Sequence, residues 1–254
     1  MAKTHVGPVY LEPIEHVYIH RKTGKKYTSV TTVIGGIEPH FDTEAVAQAI
    51  VNQSDDKKNE KYVGMNKDQI IEQWQWLNDT ANEYGTKVHE IVEDYLLKNK
   101  WYFPKDDFEK AVIEGYDNLK VDEGIAIYPE RIMFSEEYEL AGTADLIIDI
   151  DDTFFDVGDW KTNKEFNYYN KFGNKTLLKP FEHLQDCQFN VYALQMSTYA
   201  LMYEMETGKK CRHIWIGYWD KKTKDFSRIP LAYLKHDAKN LLEHHKYHTQ
   251  LNAA

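Results

Sequence analysis

Residues 141–162 read AGTADLIIDIDDTFFDVGDWKT, and their pattern decides the fold. β-Branched and aromatic residues crowd both halves, and Asp151-Asp152 marks a break between them, so the stretch reads as two strands joined by a tight turn. The first strand carries Asp145; the second carries Asp159 and Lys161 around Trp160. Side chains alternate along a strand, so Asp159 and Lys161 share a face and Trp160 takes the other. Whether Asp145 joins them depends on the turn. Cross-strand partners sum to a constant, and pairing Asp145 with Asp159 centres the turn on Asp152. A two-residue Asp151-Asp152 turn would pair Asp145 with Gly158 and set the carboxylates on opposite faces. Convergence therefore requires a loop of three or five residues, or a bulge.

Outside the hairpin the period changes. Upstream, residues 16–28 alternate at Val17 and Ile19 around Thr23-Gly24 and read as an edge hairpin. Ser29 caps a short helix over Val30–Ile34, stopped by Gly35-Gly36, and Asp42 caps a helix through Ile50. Residues 54–63 read as an exposed loop. Asn66 with Gln69 forms a capping pair before an apolar stripe at Ile70, Trp74, Leu77, Ala81 and Tyr84. Gly85 interrupts or kinks that helix. The next one carries Val88, Ile91, Val92, Tyr95 and Leu96, with His89 and Glu93 one turn apart beside the stripe, and a further helix fits Asp107–Lys120. Ile125–Phe134 reads as a strand. Downstream of the hairpin come a loop over 163–180, a long helix from His183 to Glu206 closed by Gly208, and strands at Cys211–Trp219 and Phe226–Tyr233. Asp237 caps a last helix whose tail, 244–254, frays. The order predicts an α/β domain with a mixed central β-sheet flanked by helices and an N-terminal helical portion. The expected division is one domain over 1–254, with an N-terminal hairpin and helical portion (1–84), a core (85–220) and a C-terminal strand and helix (221–254).

The chain has 254 residues and a formal net charge of −10. That balance argues against non-specific coating of nucleic acid but not against a local grip on it. Two distant cysteines, Cys187 and Cys211, form no metal-like pair and fit a reducing cytosol. The N-terminus lacks the apolar core of a secretion signal, and no apolar run reaches membrane-spanning length, so a cytoplasmic protein without membrane contact is expected.

Two carboxylates and a lysine at one hairpin fit a divalent-metal site acting on a phosphodiester. Hard cations bind carboxylate oxygens, polarise the phosphoryl group and stabilise the leaving oxygen, while a lysine orients water and offsets developing charge. An ordinary Asp159–Lys161 ion pair is the bland alternative. It is disfavoured by the apolar residues on both faces, Leu146, Ile147, Ile148, Phe154, Phe155 and Val157.

G-T-A-D, 13 residues, then D-W-K resembles the core of the PD-(D/E)XK nuclease superfamily. The branch it most resembles holds RecB-type nuclease domains, the mitochondrial genome maintenance exonuclease and related phage exonucleases. Three further segments agree: G-T-K-V-H-E at 85–90, Q-x-x-x-Y at Gln195–Tyr199, and YTSVTTV at 27–33. Ala144 stands where the family has its proline. The resemblance spans roughly residues 27–205 and implies a restriction-endonuclease-like core. It implies Mg²⁺ or Mn²⁺ held by His89, Asp145, Asp159 and the backbone carbonyl of Trp160, with Lys161 catalytic and Gln195 and Tyr199 supporting it. Gln188 with Tyr192 has the same spacing and is the competing choice. Glu137, eight residues before Asp145, is a further ligand or half of a solvated Glu136-Glu137 pair.

Lys164, Lys171, Lys175 and Lys179, interleaved with Phe166, Tyr168, Tyr169 and Phe172, form the expected DNA-contacting loop, since lysines track phosphates and aromatics stack on unpaired bases. A solvated loop is the alternative there. The function expected is a metal-dependent DNA exonuclease in replication, recombination or repair, acting on DNA ends or single strands beside a single-strand annealing or replication partner; if phage-encoded, it works in the host cytoplasm. The alternatives are a nuclease-fold protein that binds DNA ends or a recombination partner without turnover, and a structure-specific endonuclease.

Overall fold

The structure, a computed structural model, describes residues 7–54, 56–98, 101–121, 124–171 and 173–253. The chain opens with strands Val9–Glu12 (β1), Val17–His20 (β2) and Lys26–Ser29 (β3), then helices Val30–Gly35 (α1), Thr43–Val51 (α2), Lys67–Lys98 (α3) and Asp107–Asn118 (α4). Strands Ala126–Ser135 (β4), Leu140–Asp149 (β5) and Phe154–Lys161 (β6) follow. Helix Gln188–Thr207 (α5), strands Lys210–Asp220 (β7) and Asp225–Leu231 (β8), and helix Lys235–Ala253 (α6) complete it.

The sheet is mixed. β1, β2 and β3 are antiparallel; β3 runs parallel to β5; β4 and β6 flank β5 antiparallel; β6 and β7 are parallel with α5 as their crossover; β8 closes antiparallel on β7. This is the mixed central sheet with flanking helices and an N-terminal helical region read from the sequence, consistent with a restriction-endonuclease-like core. β4 covers β5 along one whole edge, from Ser135↔Leu140 to Ala126↔Asp149. β3 and β6 therefore share the other edge: β3 holds residues 140 and 141, and β6 holds 146–149. The edge between them is left to side chains.

Two helical layers cover the sheet. On one face α1, α5 and α6 pack over Ile147, Val157 and Ile216. On the other, Val88, Ile91 and Val92 of α3 and Val112, Ile113 and Tyr116 of α4 cover Leu146, Ile148, Trp160 and Trp215. Trp160 and Trp215 meet edge to face, centroids 5.5 Å apart. Burial of each such ring is worth roughly 4–6 kcal/mol of transfer free energy. No helix among the described residues is long and apolar enough to cross a membrane.

The decisive turn has three residues, 151–153. The ladder runs from Leu146↔Gly158 to Asp149↔Phe155, and Ile150 N donates to Phe154 O at 2.9 Å. Asp151 sets the loop length: its Oδ1 accepts from Thr153 N at 2.7 Å and Phe154 N at 2.8 Å. Asn66 and Gln69 cap each other reciprocally, 2.9 Å each way.

Several boundaries differ from the sequence expectation. α3 runs unbroken through Gly85, where a Cβ would come within 3.2 Å of Thr162 Oγ1; the glycine serves close approach to the strand end rather than a kink. α5 begins at Gln188, not His183, because residues up to Asp186 are tied into the preceding loop through Leu177 N to Leu184 O and Asp186 N to Lys175 O, both 2.9 Å. α6 starts at Lys235 and continues to Ala253. Asp237 lies inside its first turn and pairs with His183 Nε2 at 2.9 Å instead of capping. β1 was not expected.

Candidate metal centre

Beyond Leu146↔Gly158 the ladder between β5 and β6 stops, and the next step of that register sets Asp145 opposite Asp159. There the strands fork. Trp160 N, which would otherwise lack a cross-strand acceptor, donates to Asp145 Oδ2 at 2.7 Å. The Asp145 carboxylate thus caps the fork, and its position follows from the three-residue loop.

His89 reaches the fork from α3. Its Nε2 lies 2.9 Å from the Trp160 carbonyl oxygen and its Nδ1 3.3 Å from Asp145 Oδ2. Gly85, one turn earlier, lets α3 approach β6 closely enough for that reach. On the far side, Thr143 is hydrogen-bonded to the Tyr18 hydroxyl at 2.9 Å, so β2 of the N-terminal hairpin walls the gap that β3 and β6 leave on β5.

The sequence reading missed Glu130. The β4–β5 ladder pairs Pro129 with Leu146 and Arg131 with Ala144, skipping Glu130, which faces Asp145 with a φ of 46°. A non-glycine residue in the left-handed region costs about 1–2 kcal/mol and is a mark of functional constraint. Three adjacent strands therefore bring Glu130, Asp145 and Asp159 into one row. Ligand atoms of His89, Glu130 and Asp145 lie within 4.8 Å of one another. A cavity of about 430 Å³, lined by Gly85, Thr86, His89, Glu90, Glu93 and Glu130, opens onto them.

Glu137, the expected further ligand, is not part of this group. It sits in the β4–β5 turn and pairs with Lys246 of α6 at 3.0 Å. The four-residue turn 136–139 decides this: it carries Glu137 to the tip and brings Glu130 back across from Asp145. A carboxylate in the otherwise apolar strand IYPERIMF, beside Arg131, was the available signal.

The electrostatics are those of crowded carboxylates. Burial, then the charges of Asp145, Glu93 and Asp159, push the Glu130 carboxyl up to about 9. Burial, then Asp145, pushes Asp159 up to about 6, against the pull of Lys161. Burial alone would lower the Lys161 ammonium, but Asp159 and Asp145 outweigh it and hold it above its ordinary range. Such mutual repulsion is relieved by a proton or by a cation. The donor set fits a hard divalent ion: carboxylate oxygens, one backbone carbonyl and one imidazole, with Mg²⁺ or Mn²⁺ suited to the oxygens and Mn²⁺ more tolerant of the nitrogen.

Asp159 is outside the three-residue group. Its Oδ2 is ion-paired with Lys161 Nζ, and both side chains are largely buried. Lys161 Nζ also lies over the Tyr192 ring, 4.9 Å from its centre, and the Tyr192 hydroxyl donates to Asn163 Oδ1 at 3.1 Å. Of the two Gln–Tyr pairs on α5, the one nearer in sequence to the loop thus carries the residue touching the lysine. Gln195 Nε2 donates to the Tyr199 hydroxyl at 3.0 Å, and Tyr199 is buried against Gly142, where a Cβ would meet its ring at 2.5 Å. Tyr199 packs the back of the fork.

In the loop expected to contact DNA, Lys164, Lys171, Lys175 and Lys179 are exposed, with Lys171 paired to Glu165 at 2.7 Å. Tyr168 and Tyr169 are 54% and 64% exposed. Phe166 instead packs inward against Tyr192 and Tyr218. Phe172 lies outside the described residues.

No family model matches the chain, and no curated protein matches it. Among solved structures, the crystal structure of a provisionally named exonuclease from Eubacterium rectale aligns with 89% of this chain and 79% of that one, at 14% identity and a TM-score of 0.38. A likeness of that size carries no argument.

Proposed function

We propose that this chain is a divalent-metal-dependent nuclease of the PD-(D/E)XK type, RecB-like branch, that hydrolyses DNA phosphodiesters from ends, with residues 85–220 as its catalytic core. The observation that carries the reading is the gathering of His89, Glu130 and Asp145 at the β5–β6 fork, one strand position from the buried Asp159–Lys161 pair. A carboxylate cluster costs folding free energy unless a cation offsets it, and a buried ammonium beside it has little structural purpose.

His89, Asp145, Glu130 and the Trp160 carbonyl would hold Mn²⁺ or Mg²⁺, with Asp159 completing the set. When bound, the ion supplies charge compensation for the phosphoryl oxygens and lowers the pKa of water. The remaining work belongs to the chain. Lys161 carries a fixed positive charge, held between Asp159 and the face of Tyr192, and offsets negative charge that builds on the phosphate in the transition state. Asp145 aligns the end of β6 through the Trp160 N–H, fixing the strand position from which the Trp160 carbonyl and Lys161 act. The exposed lysines and Tyr168 and Tyr169 lead the strand toward Lys161.

The test is end-labelled linear DNA with Mn²⁺, with and without chelator, beside Lys161→Ala. Chelator-sensitive shortening by the wild type, and shortening slowed by about a hundredfold or more in the variant, is expected; undiminished cleavage by Lys161→Ala overturns the assignment. Tight DNA binding without turnover would instead make this an end-binding protein, and cutting of circular single strands an endonuclease.

A further inference from the structure

Tyr192 also lines a second cavity, of about 310 Å³, whose wall includes Glu38, Asn167, Tyr169, Asp186 and Gln188. Its size is at the small end of ligand pockets. Two tyrosines supply aromatic surface, Tyr169 exposed at the mouth and Tyr192 half-buried inside. Three side-chain amides line it, those of Asn167, Asn170 and Gln188. Gln188 is fixed in place, its Oε1 accepting from Asn167 N at 2.9 Å. Asn167 Oδ1 is buried without a hydrogen-bond partner among the described residues. A buried acceptor left unpaired is costly and calls for a partner.

The wall chemistry selects the occupant. Asp186 disfavours an anion, and Lys171 on the same wall is already paired with Glu165 at 2.7 Å, so this is not a phosphate site. Burial, then the charge of Asp186, raises the Glu38 carboxyl above its ordinary range. Aromatic faces with convergent amides and a carboxyl suit a flat, neutral group rich in donors and acceptors. Tyr192 forms one wall of this cavity and also the surface under the catalytic lysine, so a group here lies one side chain from the reacting phosphate. In DNA, a base sits one sugar away from its phosphate.

We propose that this cavity receives the base of the nucleotide flanking the scissile phosphate, unstacked from its neighbours, with Asn167 and Gln188 bonding its edge and Tyr169 covering it. This rests on the nuclease reading above. It makes the enzyme sensitive to the presence of a base at one defined position.

The experiment uses the full chain with Mn²⁺ and single-stranded oligonucleotides that each lack one base at successive positions from the end. Removing one base should raise KM about tenfold, in line with the loss of a stacked and bonded base, with little change in kcat; other positions should matter less. Asn167→Ala should raise KM on the intact strand several-fold and have little further effect on the strand already lacking that base. Gln188→Ala provides the same cycle if Asn167→Ala does not fold. Cleavage with no position-dependent penalty, or a penalty undiminished in both variants, overturns the base pocket while leaving the nuclease standing. Failure of the wild type to cut these strands overturns the base pocket, and failure on end-labelled linear duplex as well overturns both.

Discussion

Glu130 of β4 stands directly opposite Asp145 of β5, at the one position where the ladder, between Pro129↔Leu146 and Arg131↔Ala144, is broken. The break turns the Glu130 carboxyl onto a neighbour of the same charge. Neither strand gains from that contact in the absence of a cation, and a strained backbone holds it.

Glu130→Gln should therefore separate affinity from stability. Loss of the carboxylate should weaken Mn²⁺ binding by about tenfold or more, read by calorimetric titration. In the metal-free protein at pH 8, folding requires the Glu130 carboxyl to take up a proton that the unfolded chain has lost, and glutamine removes that cost, so the melting temperature should rise. Glu137→Gln, which touches Lys246 instead, should alter neither property appreciably.

The pH dependence has a defined sign. Glu130 titrates at about 9 in the folded protein against an ordinary 4.5. Between those values the folded, metal-free protein retains a proton that the unfolded chain has lost. Its stabilising contribution is complete below the lower value and disappears as pH rises through the upper one. Asp159, raised to about 6 from 3.8, adds a smaller loss over a lower window. A cation takes the place of these protons, so the increase in melting temperature on adding Mn²⁺ should grow steadily from about pH 6 to about pH 9. A gain that shrinks with pH would contradict the crowded-carboxylate account.

The two α5 tyrosines should part company. Tyr192→Leu removes the aromatic face beneath Lys161 and should lower kcat, with the chelator-sensitive product pattern unchanged. Tyr199→Phe removes a hydroxyl whose partner, Gln195, is on the same helix, and should cost about 1 kcal/mol of stability with activity within a few-fold of wild type. Steady-state kinetics and thermal melts distinguish them. Lys161→Ala should lower turnover by about 10²–10³-fold.

Much of this was legible in the residues. The alternation around Trp160 and the parity of 145 and 159 demanded an odd loop, and Asp151 builds one from its own carboxylate. The Asn66–Gln69 pair announced the start of α3. Glu130 was hidden because its place depends on the length of a distant turn, 136–139, and on a positive φ that no local pattern signals. Gly85 read as a helix breaker because the contact that requires it, Thr162, is remote in sequence. The pocket beside Tyr192 was equally invisible, being assembled from residue 38, the loop and the first turns of α5.

The cation site itself is the central claim, and anomalous diffraction from crystals soaked in Mn²⁺ tests it most directly. The account predicts a peak bounded by His89, Glu130, Asp145 and the Trp160 carbonyl, absent in Asp145→Asn. Well-ordered crystals with no peak at the β5–β6 fork, or with the only peak elsewhere, would contradict it.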